Sequence, residues 1–205
     1  MTQSFNEMKD MALAKLENKW GNAALVVLIA MIITGATNFI PGASLIIGGP
    51  ISLGMAIYFL RISRDEPVEI NNLFDGFKQF GNALGAYLLM LLIIILGFIL
   101  LIVPGIIAAL ALSQTFNIMH DEPNLGPIEA MKKSHEMMKG HRGDYFLLNL
   151  SFIGWALLCI LTIGIGFLFL APYASVTNAI FYNNLVDYHN KDIKELGSHL
   201  EVLEY

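Results

Sequence analysis

The sequence predicts an all-α fold: a polytopic membrane protein with six transmembrane helices as three helical hairpins, each preceded by an amphipathic interfacial helix. Three observations predict it. The 205 residues are 56% hydrophobic and only 14% charged, where a soluble domain has roughly 25% charged residues. The charges fall in four blocks: 7–19, 61–78, 121–144 and 187–204. Between the blocks lie charge-free stretches 20–60, 79–119 and 145–186, of 41, 41 and 42 residues. One membrane crossing takes about 20 apolar residues, so each stretch holds two crossings and a tight turn.

The composition excludes several classes. A disordered chain is rich in charge and poor in hydrophobic residues, the reverse of this one. Acids outnumber bases 17 to 12, which excludes a basic nucleic-acid surface. The single cysteine, Cys159, excludes an intramolecular disulfide and a cysteine-only zinc site. Runs such as Leu88 to Leu96 are apolar on every side and leave no polar face for water. The hairpin turns carry no charge, and all 12 Lys and Arg lie on the other side. The positive-inside rule makes that side cytoplasmic, with both termini there. Met1 to Trp20 has no apolar run and does not read as a secretory signal.

The elements repeat, in units of about 1–66, 67–124 and 125–190, followed by a polar cytoplasmic tail, 191–205. Gly21-Asn22, Gly81-Asn82 and Gly143-Asp144 each open a span, 60 and 62 residues apart. Arg64-Asp65-Glu66-Pro67 and His120-Asp121-Glu122-Pro123 each close a hairpin. Ile40-Pro41-Gly42, Val103-Pro104-Gly105 and Thr162-Ile163-Gly164 mark the turns. An amphipathic segment opens each unit. In the first, Phe5, Met8, Ala12, Leu16 and Trp20 recur at helical spacing opposite Lys9, Lys15 and Lys19. In the second, Ile70, Leu73, Phe74, Phe77 and Phe80 form a stripe. In the third, Ile128, Met131, His135 and Met138 do, with Gly126 as N-cap and Pro127 in the first turn. These segments are expected to dock in the cytoplasmic interface through Trp20, Phe74, Phe77 and Met131. Packing on their own bundle is the alternative.

The second helix of each hairpin is expected to be broken, at Pro50, Pro104 and Pro172, because proline lacks an N–H and clashes with the preceding turn. Freed backbone groups are tolerated in a membrane only where they are buried or line a cavity. Polar residues gather on the same helices, and Gln114, Asn117 and Asn178 are the candidate cavity-lining set. Their plainer role is interhelical hydrogen bonding, worth about 0.6 kcal/mol on average. Gly81, Gly85 and Gly154 are expected sites of close helix approach.

Other chemistry is missing. No span holds Asp, Glu, Lys or Arg, whereas proton pathways place such groups inside the membrane. His135 and His141 fall on different helix faces, and His120, His189 and His199 lie near or in polar segments, so no metal site is expected. Gly-x-Ser-x-Gly is absent and no glycine-rich loop leads to a lysine. Cys159 sits among Leu157, Leu158, Ile160 and Leu161 as an inert thiol. No enzyme and no cofactor are expected.

One family shares several of these motifs. They are Leu73 to Asn82, Ile102-Val103-Pro104-Gly105-Ile106, Ala130 to Ser134, Met137 to His141, Trp20-Gly21-Asn22 and Ala171-Pro172-Tyr173. Together they resemble the bacterial membrane family called domain of unknown function 975, over roughly 15–190. The resemblance implies a polytopic protein of the bacterial cytoplasmic membrane and supplies no reaction, ligand or catalytic residue. The chain is also distantly similar to the membrane portion attached to some glycerophosphodiester phosphodiesterases, without room for their catalytic domain. The expected function is a non-enzymatic accessory or scaffold protein holding membrane lipids or another membrane protein. The alternative is a permease or channel for a small solute through broken second helices.

Overall fold

The computed structural model describes residues 4–37, 39–40, 42–162 and 164–203, with side chains as far as Lys191. The expected turn residues Pro41 and Ile163 lie outside the described residues, as do the tail's side chains from Asp192 onward. The described residues form helices and no strand. In order they are α1 (Phe5–Leu16), α2 (Trp20–Thr37), α3 (Ala43–Ser63), a 3-10 helix (Ile70–Gln79), α4 (Phe80–Leu100), α5 (Ile102–Leu112), α6 (Thr115–Asp121), α7 (Pro127–Met137), α8 (Arg142–Leu150), α9 (Ile153–Leu161) and α10 (Phe167–Leu203).

Three helices start in one way. A side chain three residues past the N-cap accepts the N-cap N–H: Glu7 that of Ser4 at 2.8 Å, Asn72 that of Glu69 at 2.7 Å, and Glu129 that of Gly126 at 3.0 Å. Each bond satisfies a backbone donor at a helix entry that the helix itself leaves free. These are the starts of the three amphipathic segments. Gly126 and Pro127 take the N-cap and first-turn positions expected of them.

Five helical stretches among the described residues are long and apolar enough to cross a membrane: Trp20–Thr37, Ala43–Ser63, Ile70–Leu100, Ile102–Asp121 and Arg142–Leu161. The last two are each two helices in line, α5 with α6 and α8 with α9. The final helix, α10, runs unbroken through the expected tail to Leu203.

α3 is the centre. It touches α1, α2, the 3-10 helix, α4, α6 and α10. Small residues allow this. A Cβ added to Gly54 would fall 1.7 Å from the Leu73 carbonyl oxygen, and one on Gly76 would fall 2.0 Å from that of Pro50. The 3-10 helix therefore lies backbone against backbone on α3. A Cβ on Gly49 would meet the Ala83 carbonyl oxygen of α4 at 2.5 Å. Of the expected contact glycines, Gly85 does admit a neighbour, since a Cβ there would fall 3.2 Å from the Pro127 ring of α7, whereas the Cβ directions of Gly81 and Gly154 are empty within 4 Å.

The proline expectation is also corrected. Pro50 and Pro172 lie inside uninterrupted helices, and Pro104 sits in the first turn of α5. First-turn proline costs nothing, because that N–H has no intrahelical acceptor. The interruptions fall at Ser113-Gln114, between α5 and α6, and at Ser151-Phe152, between α8 and α9.

Candidate functional site: a polar cluster at the helix breaks

The break after α5 is filled from α7. Ser134, fully buried, accepts the Gln114 N–H at 3.2 Å and donates to the Ala111 carbonyl at 2.8 Å. One hydroxyl thus takes up two backbone groups at the interruption, as a dry environment requires. The Gln114 side-chain amide donates to the Ser113 hydroxyl at 3.1 Å and accepts from the Asn117 amide at 2.9 Å. The Tyr145 hydroxyl of α8 interacts with Ser113, Gln114 and Asn149. Asn149 and Asn178 then exchange reciprocal amide bonds, at 3.3 and 3.2 Å, between α8 and α10.

A cavity of about 170 Å³ opens beside this network, with Ser113, Asn117, Tyr145, Ser175 and Asn178 on its wall. Of the three expected residues, Asn117 and Asn178 line it. Gln114, only 1% exposed, lies behind the wall with its amide committed to neighbours. Ser134, Tyr145 and Asn149 belong to the cluster without having been expected there. The wall is made of amides, hydroxyls and apolar groups from α3 and α6. It offers hydrogen bonds to a small neutral molecule and no charge to an ion.

A second network ties the ends of α3 and α6 to the middle of α10. Arg64, just past α3, holds the Asp121 carboxylate of α6 through two bonds of 2.7 and 2.8 Å, a paired geometry that favours strength. Arg64 also donates to Asn183 of α10 at 3.0 Å, Asn183 donates to the Ser63 hydroxyl, and Tyr182 donates to Asp121 at 3.0 Å. Hydrogen bonding to Asp121 raises the Arg64 pKa further above its ordinary value, keeping it cationic. The two repeated Asp-Glu-Pro motifs therefore part company. Asp121 of the second copy binds Arg64 of the first, while Asp65 binds Lys15 of α1. The hydrogen bond from Lys15 holds the Asp65 carboxyl below its usual range.

The expected interfacial residues divide. Trp20 packs on Phe169, ring centres 6.4 Å apart, and Met131 is buried. The first stripe is used inside the protein: Met8, Ala12 and Leu16 are fully buried, and α1 lies on α10 and α3. Met8, Ala12 and Leu16 are thus used in packing within the protein, while Phe5 and Trp20 of the same stripe stay partly exposed. Phe74 and Phe77 are exposed and stack in a row with Phe80, at 6.3 and 6.4 Å. A 3-10 helix has three residues per turn, so positions three apart eclipse and the row forms one ridge. The Asn72, Asp75 and Lys78 side chains interlink on a second ridge, and Leu73 and Gly76 face α3 on the third.

No curated protein and no solved structure matches the chain. The family described as Protein of unknown function (DUF975) matches it twice, over residues 1–104 and 90–189. The overlapping matches register an internal repeat. Between them they cover nearly the whole sequence, and the chain belongs to that family.

Proposed function

We propose that the chain is a non-enzymatic accessory or scaffold protein of the bacterial cytoplasmic membrane, holding lipids or a membrane partner. It crosses six times as three hairpins, in three units of about 1–66, 67–124 and 125–190, with both termini cytoplasmic. α10 supplies the sixth crossing. The observation that carries the reading is the α4–α5 hairpin. Along its 21 residues α4 buries only Ala83 and Ala86, while Leu92, Leu96, Ile99 and Leu100 stand exposed. An apolar surface of this extent marks a membrane or partner contact. The mutual bonds among the amides of the polar cluster support glue rather than a substrate path.

A photo-crosslinking residue at Leu96, compared with one at Leu158 of α9, tests this in cells. The expected result is a discrete protein adduct, or one enriched lipid class, at Leu96 alone. Identical bulk-lipid adducts at both positions overturn it. Topology has a separate test, in a Cys159→Ser background. Phe39→Cys and Lys139→Cys are expected to label from opposite sides, and same-side labelling removes the six-crossing arrangement.

The 170 Å³ cavity beside two interrupted helices favours a second reading, a permease for a small neutral solute. Proteoliposomes should then pass such a solute, and Asn178→Leu should stop it. Flux equal to that of empty vesicles ends this reading.

A further inference from the structure

A second groove, of about 430 Å³, lies between α4, α5 and α7. Leu89 and Ile93 of α4, Leu112 of α5 and Met131 of α7 make its apolar wall. Lys132, His135 and Glu136 line it from α7, in the charge block assigned to the cytoplasmic side. The groove is thus divided along its length, hydrocarbon on α4 and α5 and charge on α7. Lys132 and Glu136 are exposed, four residues apart on one helix face, and neither has an ion-pair partner among the described residues. Two other cations nearby are engaged: Lys133 binds Glu122, and an Arg142 guanidinium nitrogen lies 3.3 Å from the His135 ring. The groove lining thus holds one cation and one anion without an ion pair among the described residues, beside an apolar trough.

We infer that this groove seats one phospholipid whose head group carries both a phosphate and an ammonium group. Its acyl chain lies on Leu89, Ile93 and Leu112, Lys132 meets the phosphate and Glu136 meets the ammonium. A purely anionic head group satisfies Lys132 and sets negative charge beside Glu136. A phosphate–ammonium pair satisfies both. The inference rests on the accessory reading and names its ligand. Leu96 lies on the same face of α4 as Leu89 and Ile93, one turn past the groove lining.

The test is native mass spectrometry of the full chain in detergent, with equal phosphatidylethanolamine and phosphatidylglycerol added. The expected result is one retained phosphatidylethanolamine, favoured about tenfold, the value of one charge-assisted hydrogen bond. Ile93→Trp fills the trough without emptying the core and should lower retention of both lipids by a similar factor, and Leu89→Trp repeats the test should the first variant fold poorly. Lys132→Gln should weaken both lipids, and Glu136→Gln should erase the preference between them. Equal retention of the two lipids by the unaltered chain, or unchanged retention in the folded tryptophan variants, overturns the inference. The Leu96 crosslink, repeated in Ile93→Trp where the groove is filled, reads the accessory function apart from a groove lipid. An enriched adduct there with no groove lipid sinks this inference alone, and loss of the adduct sinks the wider reading.

Discussion

α3 and α4 are both unbroken helices of 21 residues, and they stand at opposite extremes of burial. The apolar stretch of α3 has mean hydropathy 1.8 and is 50% buried, whereas the stretch containing α4 has 2.8 and is 11% buried. The more apolar helix is the less buried one. In water this would be an inversion, since apolar area drives burial there. In lipid it is expected, because hydrocarbon tails are as apolar as leucine and give no reason to hide it. What draws helices together is close packing and hydrogen bonding, and α3 has the means. Gly49 and Gly54 admit other backbones, and Ser63 and Arg64 at its end bond to α6 and α10. The C-terminal part of α4 packs on α5, where Gly97 comes up to the Gly105 backbone and Gly105 to the Phe98 ring.

The largest test of this contrast replaces a glycine on each helix. Gly54→Leu drives a side chain into the Leu73 carbonyl, and more than about 4 kcal/mol should be lost, enough to prevent a monodisperse detergent-solubilised protein. Gly81→Leu points into open space and should shift the melting midpoint by less than the equivalent of about 0.5 kcal/mol. Equal damage from both would show that small residues on α4 matter as much as those on α3.

Next in size are two leucine truncations. Leu60 on α3 is fully buried, and Leu96 on α4 is 55% exposed. Leu60→Ala leaves a cavity and should cost about 2–3 kcal/mol, while Leu96→Ala should cost under about 0.5 kcal/mol. Denaturation in mixed micelles measures both. A large cost at Leu96 would mean that a partner already covers it in the purified state.

Arg64→Ala should cost about 1.5–3 kcal/mol, because it leaves the partly buried Asp121 without its cation. A double-mutant cycle with Asp121→Asn separates the pair from the Asn183 contact; coupling near zero would make the polar network incidental to the centrality of α3.

The smallest expected effect has the opposite sign. Tyr58 of α3 is fully buried, and its hydroxyl has no hydrogen-bond partner among the described residues. Tyr58→Phe removes an unsatisfied group and keeps the ring against Phe59, so about 1 kcal/mol should be gained. A loss would reveal a bound water or ligand at that hydroxyl.

Much of the helical plan was legible, because charge spacing and helix-entry residues are local. Pro127 behind Gly126 is a signal contained in neighbouring residues, and it held. The helix breaks were misplaced because proline marks only a local defect. In this fold the surrounding packing accommodates Pro50 and Pro172 within α3 and α10. Ser113-Gln114 is interrupted where a hydroxyl from residue 134 receives the freed groups, and no local pattern announces that partner. The polar site was half legible for the same reason. Asn117 and Asn178 share a cavity as their helix faces suggested, but Asn149, the amide that completes the pair with Asn178, lies 29 residues before it in the chain. The three stripes read alike in sequence, yet the first is spent on α10 and α3, and only Phe74, Phe77 and Phe80 stand out as an exposed ridge.

The sequence by itself determined the helical class and the charge-free stretches. Those properties follow from transfer energies that each segment carries alone. Only the tertiary structure decided which helix is the centre, which glycine meets a backbone and which apolar face is left for lipid. Once a segment is surrounded by hydrocarbon, hydrophobicity no longer separates inside from outside. Fit between distant surfaces makes that choice, and fit is a property of pairs of segments brought together by the fold.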